Sequence, residues 1–186
     1  MRGEGSGLRA QGSGPRAQGP GPRAQGSEGG RVRAAVALGS NLPSVFGGRE
    51  ENLGEALRRL VAVGRVVAVS GFYDTEPVGY LEQPRFLNAA AVVETTLEPV
   101  ELLRRLLGIE REMGRDRAAV AAKGPRVIDL DLLLFGDVVM ETAELVVPHP
   151  AMAERRFVLE PLAEIAGEWR HPGLGSTVGE MLAGLG

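Results

Sequence analysis

Gly124-Pro125-Arg126-Val127-Ile128-Asp129-Leu130-Asp131-Leu132-Leu133-Leu134-Phe135 is the stretch on which the fold turns. Extended backbone sends successive side chains to opposite faces. A strand over residues 127–135 therefore projects Asp129 and Asp131 together and lines the opposite face with Ile128, Leu130, Leu132 and Leu134. A helix would point the two aspartates nearly apart, so the pattern predicts a strand. Carboxylates at this spacing stand roughly 6–7 Å apart at Cα, close enough to converge on one hard cation or to bridge two. Magnesium takes a few carboxylates and completes its shell with water and substrate phosphates. Two such ions about 3.5–4 Å apart clamp a displacement at phosphorus. An isolated Asp-x-Asp on a solvated edge strand would mean little. Here the strand is apolar, and like charges beside a buried sheet need compensation, which the basic residues just before it supply.

Working outward, the apolar periodicities predict a strand over 32–38, a helix over 49–63, a strand over 65–73, a strand over 86–96 and a helix over 99–113. After the acidic strand, Gly136-Asp137 predicts a turn into a short hairpin partner. A helix within 150–165 and a last short one over 177–185 follow. The order βαββαβ predicts an α+β fold, a ferredoxin-like sandwich with helices on one face of an antiparallel sheet.

Residues 1–30 read differently. A seven-residue unit recurs, Leu8 to Gly14, Pro15 to Gly21 and Pro22 to Glu28, almost without large apolar side chains. Gly and Pro make such a segment costly to order and offer little burial in return, so a disordered tail is expected, with residues 31–186 as the globular domain. A partner-binding arm, an organelle-targeting segment and a translation start near Val32 are the sharper alternatives. Among 186 residues there is no cysteine, which excludes disulfides and thiolate sites. A net charge of −3 argues against a nucleic-acid partner held by bulk positive charge. No stretch approaches the roughly 20 apolar residues of a membrane span, and a cytoplasmic location with no membrane partner is expected.

Arg115, Arg117, Lys123 and Arg126 cluster just before the acidic strand, and Arg155 and Arg156 follow His149. Arginine matches phosphate oxygens with bidentate geometry and keeps its charge. A magnesium triphosphate needs both signs of charge around it, and this half of the chain provides both. Surface ion pairing is the alternative for any one of these arginines; Arg126, fixed between Pro125 and the strand, is the strongest candidate and Arg155 the next. His149, between Pro148 and Pro150, is either structural or a phosphate donor. The local chemistry alone predicts a magnesium-dependent enzyme moving a phosphate-containing group from a nucleotide to a small molecule.

Three further segments narrow this: Gly39-Ser40-Asn41-Leu42; Phe72-Tyr73-Asp74-Thr75-Glu76-Pro77-Val78-Gly79 with Gln83-Pro84-Arg85-Phe86-Leu87-Asn88-Ala89; and Val147-Pro148-His149 with Arg155-Arg156-Phe157. Together with Gly124-Pro125-Arg126 and Asp129-Leu130-Asp131, they closely resemble the 6-hydroxymethyl-7,8-dihydropterin pyrophosphokinases of folate biosynthesis, from about Arg33 to about Ile165. The resemblance implies two magnesium ions, ATP as donor, transfer of pyrophosphate to the pterin hydroxymethyl group, and release of AMP. It implies Asp129 and Asp131 as metal ligands and, with Arg115 and Arg126, as the catalytic set. It implies Glu110, Arg115, Arg117, Arg126, His149 and Arg155 at the ATP. Thr75, Pro77, Val78, Asn88 and Asp129 would contact the pterin, with Phe86 and Phe157 stacked on its faces. Loop 114–124 would close over ATP. A monomer is the expected state. The sequence departs from the pattern at Phe86, often Tyr in relatives, at Pro150, and in the Ala-rich run 118–122, where relatives carry more basic and aromatic residues. A nucleotidyltransferase also pairs a Gly-Ser turn with Asp-x-Asp, but in that class the two lie close in sequence, whereas Gly39 and Asp129 are about ninety residues apart. An RNA-binding ferredoxin-like module should show surface aromatics on its strands, and aromatics are only 4 % here.

Overall fold

The computed structural model of the chain describes residues 30–115 and 124–186, and the backbone of residues 8–9. Arg117 and all but three residues of the 1–30 tail lie outside the described residues, as does most of loop 114–124.

The main sheet is antiparallel throughout its pairings and is built from β1 (Leu8–Arg9), β2 (Val32–Ser40), β3 (Arg65–Val69), β4 (Tyr73–Thr75), β5 (Phe86–Thr95) and β6 (Asp129–Phe135). Its order is β1-β4-β5-β2-β6, with β3 also paired to β5. Helix α1 (Arg49–Leu60) joins β2 to β3, and α2 (Pro99–Glu112) joins β5 to β6. With β2 and β5 at the centre, this is the ferredoxin-like arrangement that the element order predicts.

The predicted strand over 65–73 divides in two. β3 carries a register irregularity between Val66 and Ala68. Beyond it, Ser70 breaks the ladder: its backbone N–H donates to Ala90 O at 2.9 Å, and its hydroxyl accepts from Ala90 N at 2.9 Å. β4 then pairs separately, Thr75 against Phe86 and Tyr73 against Asn88.

Side-chain parity assigns the two faces. Ala34, Val36 and Leu38 of β2 join Leu130 and Leu132 of β6 beneath Leu53, Leu60, Leu102 and Leu106 of α1 and α2. Ala35, Ala90 and Val92 face the other way, under α3 (Arg156–Ala166) and α4 (Val178–Gly184). The helices are therefore not confined to one face, because the C-terminal pair covers the second. Thr177 caps α4, its hydroxyl accepting from Glu180 N at 3.1 Å while Glu180 accepts from Thr177 N at 2.7 Å. This reciprocal cap satisfies two otherwise orphaned donors.

Two expectations about β6 are corrected. Leu134 does not share a face with Leu130 and Leu132. The β2–β6 register steps from Val36↔Leu132 to Ala35↔Leu134. Leu133 is the extra residue of a bulge, and the alternation resets after it, so Leu133 and Leu134 both pack under α3. Nor does Gly136-Asp137 return a hairpin partner to β6. Gly136 N–H donates to Arg33 O, and β7 (Met140–Glu141) pairs with β8 (Val146–Val147) in a separate two-stranded sheet.

Candidate active site

One cross-strand row lays the floor of the site. Tyr73 pairs with Asn88, Asn88 with Gly39, and Gly39 with Asp129, across β4, β5, β2 and β6. Asp131 stands two residues further along β6, opposite Ala37. These side chains share the face that α3 covers. α3 begins only at Arg156, so the end of the sheet carrying this row opens into a cleft enclosing about 760 Å³, open solvent included. Asn88, Thr75 and Phe86 wall one end, Asp129, Asp131 and Arg126 the other, and Arg155 and Phe157 lie along its border from the start of α3.

At the apolar end, Asn88 is 7 % exposed and its Nδ2 donates to Thr75 Oγ1 at 2.7 Å. That fixes the amide and leaves its Oδ1 available. Phe86 is buried, with the Arg126 guanidinium 4.9 Å above its ring centroid, and Arg155 stands 5.8 Å from the Phe157 ring. Each ring thus carries a guanidinium over one face. Val78 borders the cleft and is largely exposed; Pro77 is buried and is not one of its walls.

At the charged end, Asp129 is held from two sides, by Arg115 Nη1 at Oδ1 and by Arg126 Nη2 at Oδ2, 2.8 Å. Arg126 also donates from Nη1 to Gly124 O at 3.0 Å, while its Nε is buried and finds no hydrogen-bond partner among the described residues. Glu110 stands beneath this cluster rather than in the cleft. It is 1 % exposed, and its Oε1 accepts from Arg115 Nη1 and from Leu130 N, both at 2.7 Å. It therefore ties α2 to β6 and aims Arg115.

Burial pushes the Asp131 carboxyl above the ordinary aspartate range, and the Asp129 charge adds to this against His149, Arg155 and Arg126. His149 is not a wall of the cleft but lies alongside β6: its N–H donates to Leu133 O at 2.9 Å, just after the cis Val147–Pro148 peptide. Its Nδ1 accepts from Ala151 N at 3.2 Å, which assigns the proton of the neutral ring to Nε2. Burial lowers its pKa despite the pull of Asp131.

Three contributors carried no role in the sequence reading. Asn41 Oδ1 accepts from Arg126 N at 2.7 Å while its Nδ2 donates to Gln83 Oε1 and Pro84 O, both 3.0 Å, so one side chain joins the ends of β2 and of the 76–84 loop to Arg126. Its place in Gly39-Ser40-Asn41-Leu42 was the available signal. Arg85 braces the same loop through Asp74 at 2.8 Å and through Glu76, which also lines the cleft. Gly39, with no side chain to suggest a part, is the third.

Among the described residues, no group of three or more His, Cys, Asp or Glu forms a closed metal cage. Two carboxylates with room beside them nonetheless suit magnesium, which keeps water and substrate oxygens in its shell.

Residues 35–167 match the family described as 7,8-dihydro-6-hydroxymethylpterin-pyrophosphokinase (HPPK). The chain belongs to this family. It is 49 % identical over 134 residues to the 2-amino-4-hydroxy-6-hydroxymethyldihydropteridine pyrophosphokinase of Bacillus subtilis, covering 71 % of this chain and 77 % of that one. The Pseudomonas aeruginosa enzyme of the same name is 44 % identical over 151 residues, covering 81 % and 90 %. The folic acid synthesis protein fol1 of Schizosaccharomyces pombe matches at 42 % identity over 75 % of this chain but only 18 % of its own length. A Plasmodium falciparum HPPK-DHPS crystal structure with pteroate superposes with a TM-score of 0.62 at 16 % identity, over 83 % of this chain and 42 % of that one, a likeness of fold. This HPPK family member is a pyrophosphokinase, and its reaction is pyrophosphoryl transfer to hydroxymethyldihydropterin in folate synthesis.

Proposed function

We propose that the cleft performs this transfer with ATP as donor, the pterin at the Asn88 end and the triphosphate at the Asp129 end. The observation that carries the reading is the floor row, which sets an amide fixed by Thr75 on the same face as a pair of carboxylates, one glycine apart, with Arg115 and Arg126 beside Asp129. A pterin is flat, aromatic on its faces and lined with donors and acceptors at its edge. Phe86 and Phe157 suit the faces; Asn88 and Thr75 suit the edge.

The pterin hydroxyl oxygen attacks the β-phosphorus of ATP and gives up its proton to solvent. The bond from that phosphorus to the oxygen bridging it to the α-phosphorus breaks, and AMP leaves with that oxygen. Arg115 and Arg126 counter the charge of the phosphates, and the Nε of Arg126, with no hydrogen-bond partner among the described residues, offers a further donor in a buried place, where such a group is worth most. Arg155 and His149 Nε2 add donors on the α3 side. Positioning in line, rather than covalent catalysis, carries the reaction. Asp129 and Asp131 would hold magnesium, which supplies neutralisation of the phosphate oxygens and a template for the displacement.

The test is to incubate the full chain with ATP, magnesium and 6-hydroxymethyl-7,8-dihydropterin and to separate the nucleotides. AMP formed one-for-one with a pterin diphosphate is expected. ADP would mean attack at the γ-phosphorus and overturn the assignment; no pterin-dependent nucleotide change from folded protein would remove the acceptor.

A further inference from the structure

Gly39 sits in the middle of the floor row with nothing projecting from it. A Cβ built on it would lie 3.0 Å from Asn88 Oδ1, 3.9 Å from Asp129 Cβ and 3.9 Å from Phe86 Cδ1. Its three nearest neighbours are thus the amide, the carboxylate and the ring that the proposed reaction uses. Adjacent strands stand about 4.8 Å apart, so Asn88 and Asp129, each one strand from Gly39, flank a gap about 10 Å wide.

The contact with Oδ1 is the decisive one. At 3.0 Å the amide would have to give way, and it has little freedom to do so. Its Nδ2 is tied to Thr75 Oγ1 at 2.7 Å, and the residue is 7 % exposed. The amide must yield by a few tenths of an ångström: moving it away stretches the Thr75 bond, and keeping that bond presses Oδ1 against the methyl. Either way the Asn88 acceptor is displaced or crowded. The contacts toward Asp129 and Phe86, at ordinary van der Waals distance, would instead fill the space between the ring seat and the carboxylates.

We propose that Gly39 is a positioning residue for the substrate, whose missing side chain fixes the Asn88 acceptor and keeps open the floor across which the ring's reactive arm reaches the phosphates. The inference rests on the reading of the cleft as the pterin site and adds to it the residue that sets the fit. Glycine is used here for close approach, not for backbone conformation, so the substitution by alanine tests the space alone.

The experiment is a double-substitution cycle on the full chain: unmutated protein, Gly39→Ala, Asn88→Ala and the double variant. Binding of 6-hydroxymethyl-7,8-dihydropterin and of a magnesium–ATP analogue is measured by calorimetry, with Tm recorded for each. Gly39→Ala is expected to weaken the pterin about tenfold, to leave the ATP analogue within about twofold, and to cost clearly less in the Asn88→Ala background than it does alone. Full additivity of the two substitutions would mean that Gly39 does not act through the amide and would overturn the proposal. So would loss of both ligands together with a lowered Tm, which would make the glycine a requirement of β2 itself. Equal pterin binding by unmutated protein and by Gly39→Ala overturns this inference alone; unmutated protein that takes up no pterin overturns the reading of the cleft and this inference with it.

Discussion

Asp131 and Asp129 differ in what the fold has done to them. Asp129 is compensated by two guanidiniums, whereas Asp131 is pushed toward its neutral form by burial and by Asp129 itself. An ionised Asp131 is therefore a burden on the protein without ligands. Asp131→Asn removes that burden while keeping the shape, so its Tm is expected to equal or exceed that of the unmutated protein. Turnover should fall by at least about a hundredfold, comparable to the loss of one strong electrostatic contact to the transition state. Thermal melts and initial rates on the same preparations check both halves. A fall in Tm, or unchanged turnover, would contradict the assignment.

At the scale of elements, two carboxylates lock the site to its scaffold. Glu110 on α2 accepts from Leu130 N of β6 and from Arg115. Glu110→Ala would strand a buried N–H and loosen Arg115, and a loss of about 3 kcal/mol in urea unfolding is expected. Asp74 does the corresponding work on β4. Burial raises its pKa, but hydrogen bonds from Arg85 and Arg49, with their charges, outweigh this and hold the carboxyl below its ordinary value. A depressed acid stabilises the fold above its unfolded pKa, near 3.9, and loses that contribution as pH falls through the folded value. Asp74→Asn should therefore lower stability by about 1 kcal/mol at pH 7, and its melting curve should converge on that of the unmutated protein as pH drops from about 5 to 3. A gap independent of pH would assign the effect to packing.

For the whole molecule, the cleft lies where β2, β5 and β6 meet the start of α3, so ligands that fill it bridge elements far apart in sequence. A nonhydrolysable ATP analogue at about a hundred times its Kd should add roughly 2.7 kcal/mol, which for a domain of this size raises Tm by about 5–10 °C. Magnesium should be required for most of the shift. Equal shifts with and without magnesium would remove the metal from the binding mode.

The sequence by itself determined the strand that bears the acidic pair, the alternation of helices and strands, and the candidates at each end of the cleft. These are local consequences of periodicity and charge: Asp129 and Asp131 share a face because extended backbone has a period of two. The resemblance added the residues that periodicity could not single out, Thr75, Asn88 and Phe157 among them. Tertiary structure alone decided the rest. The Leu133 bulge, which sends Leu134 to the other face, arises from pairing with β2 and leaves no mark in an unbroken run of leucines. The separate pairing of β7 with β8 depends on partners outside the Gly136 turn. Asn41 reaches Arg126, 85 residues away, and Glu110 reaches Leu130, 20 away, through bonds that exist only once the strands are in register. Gly39 is the limiting case. Its part in the site is the absence of a side chain between Asn88 and Asp129, and an absence acquires meaning only when its neighbours are in place.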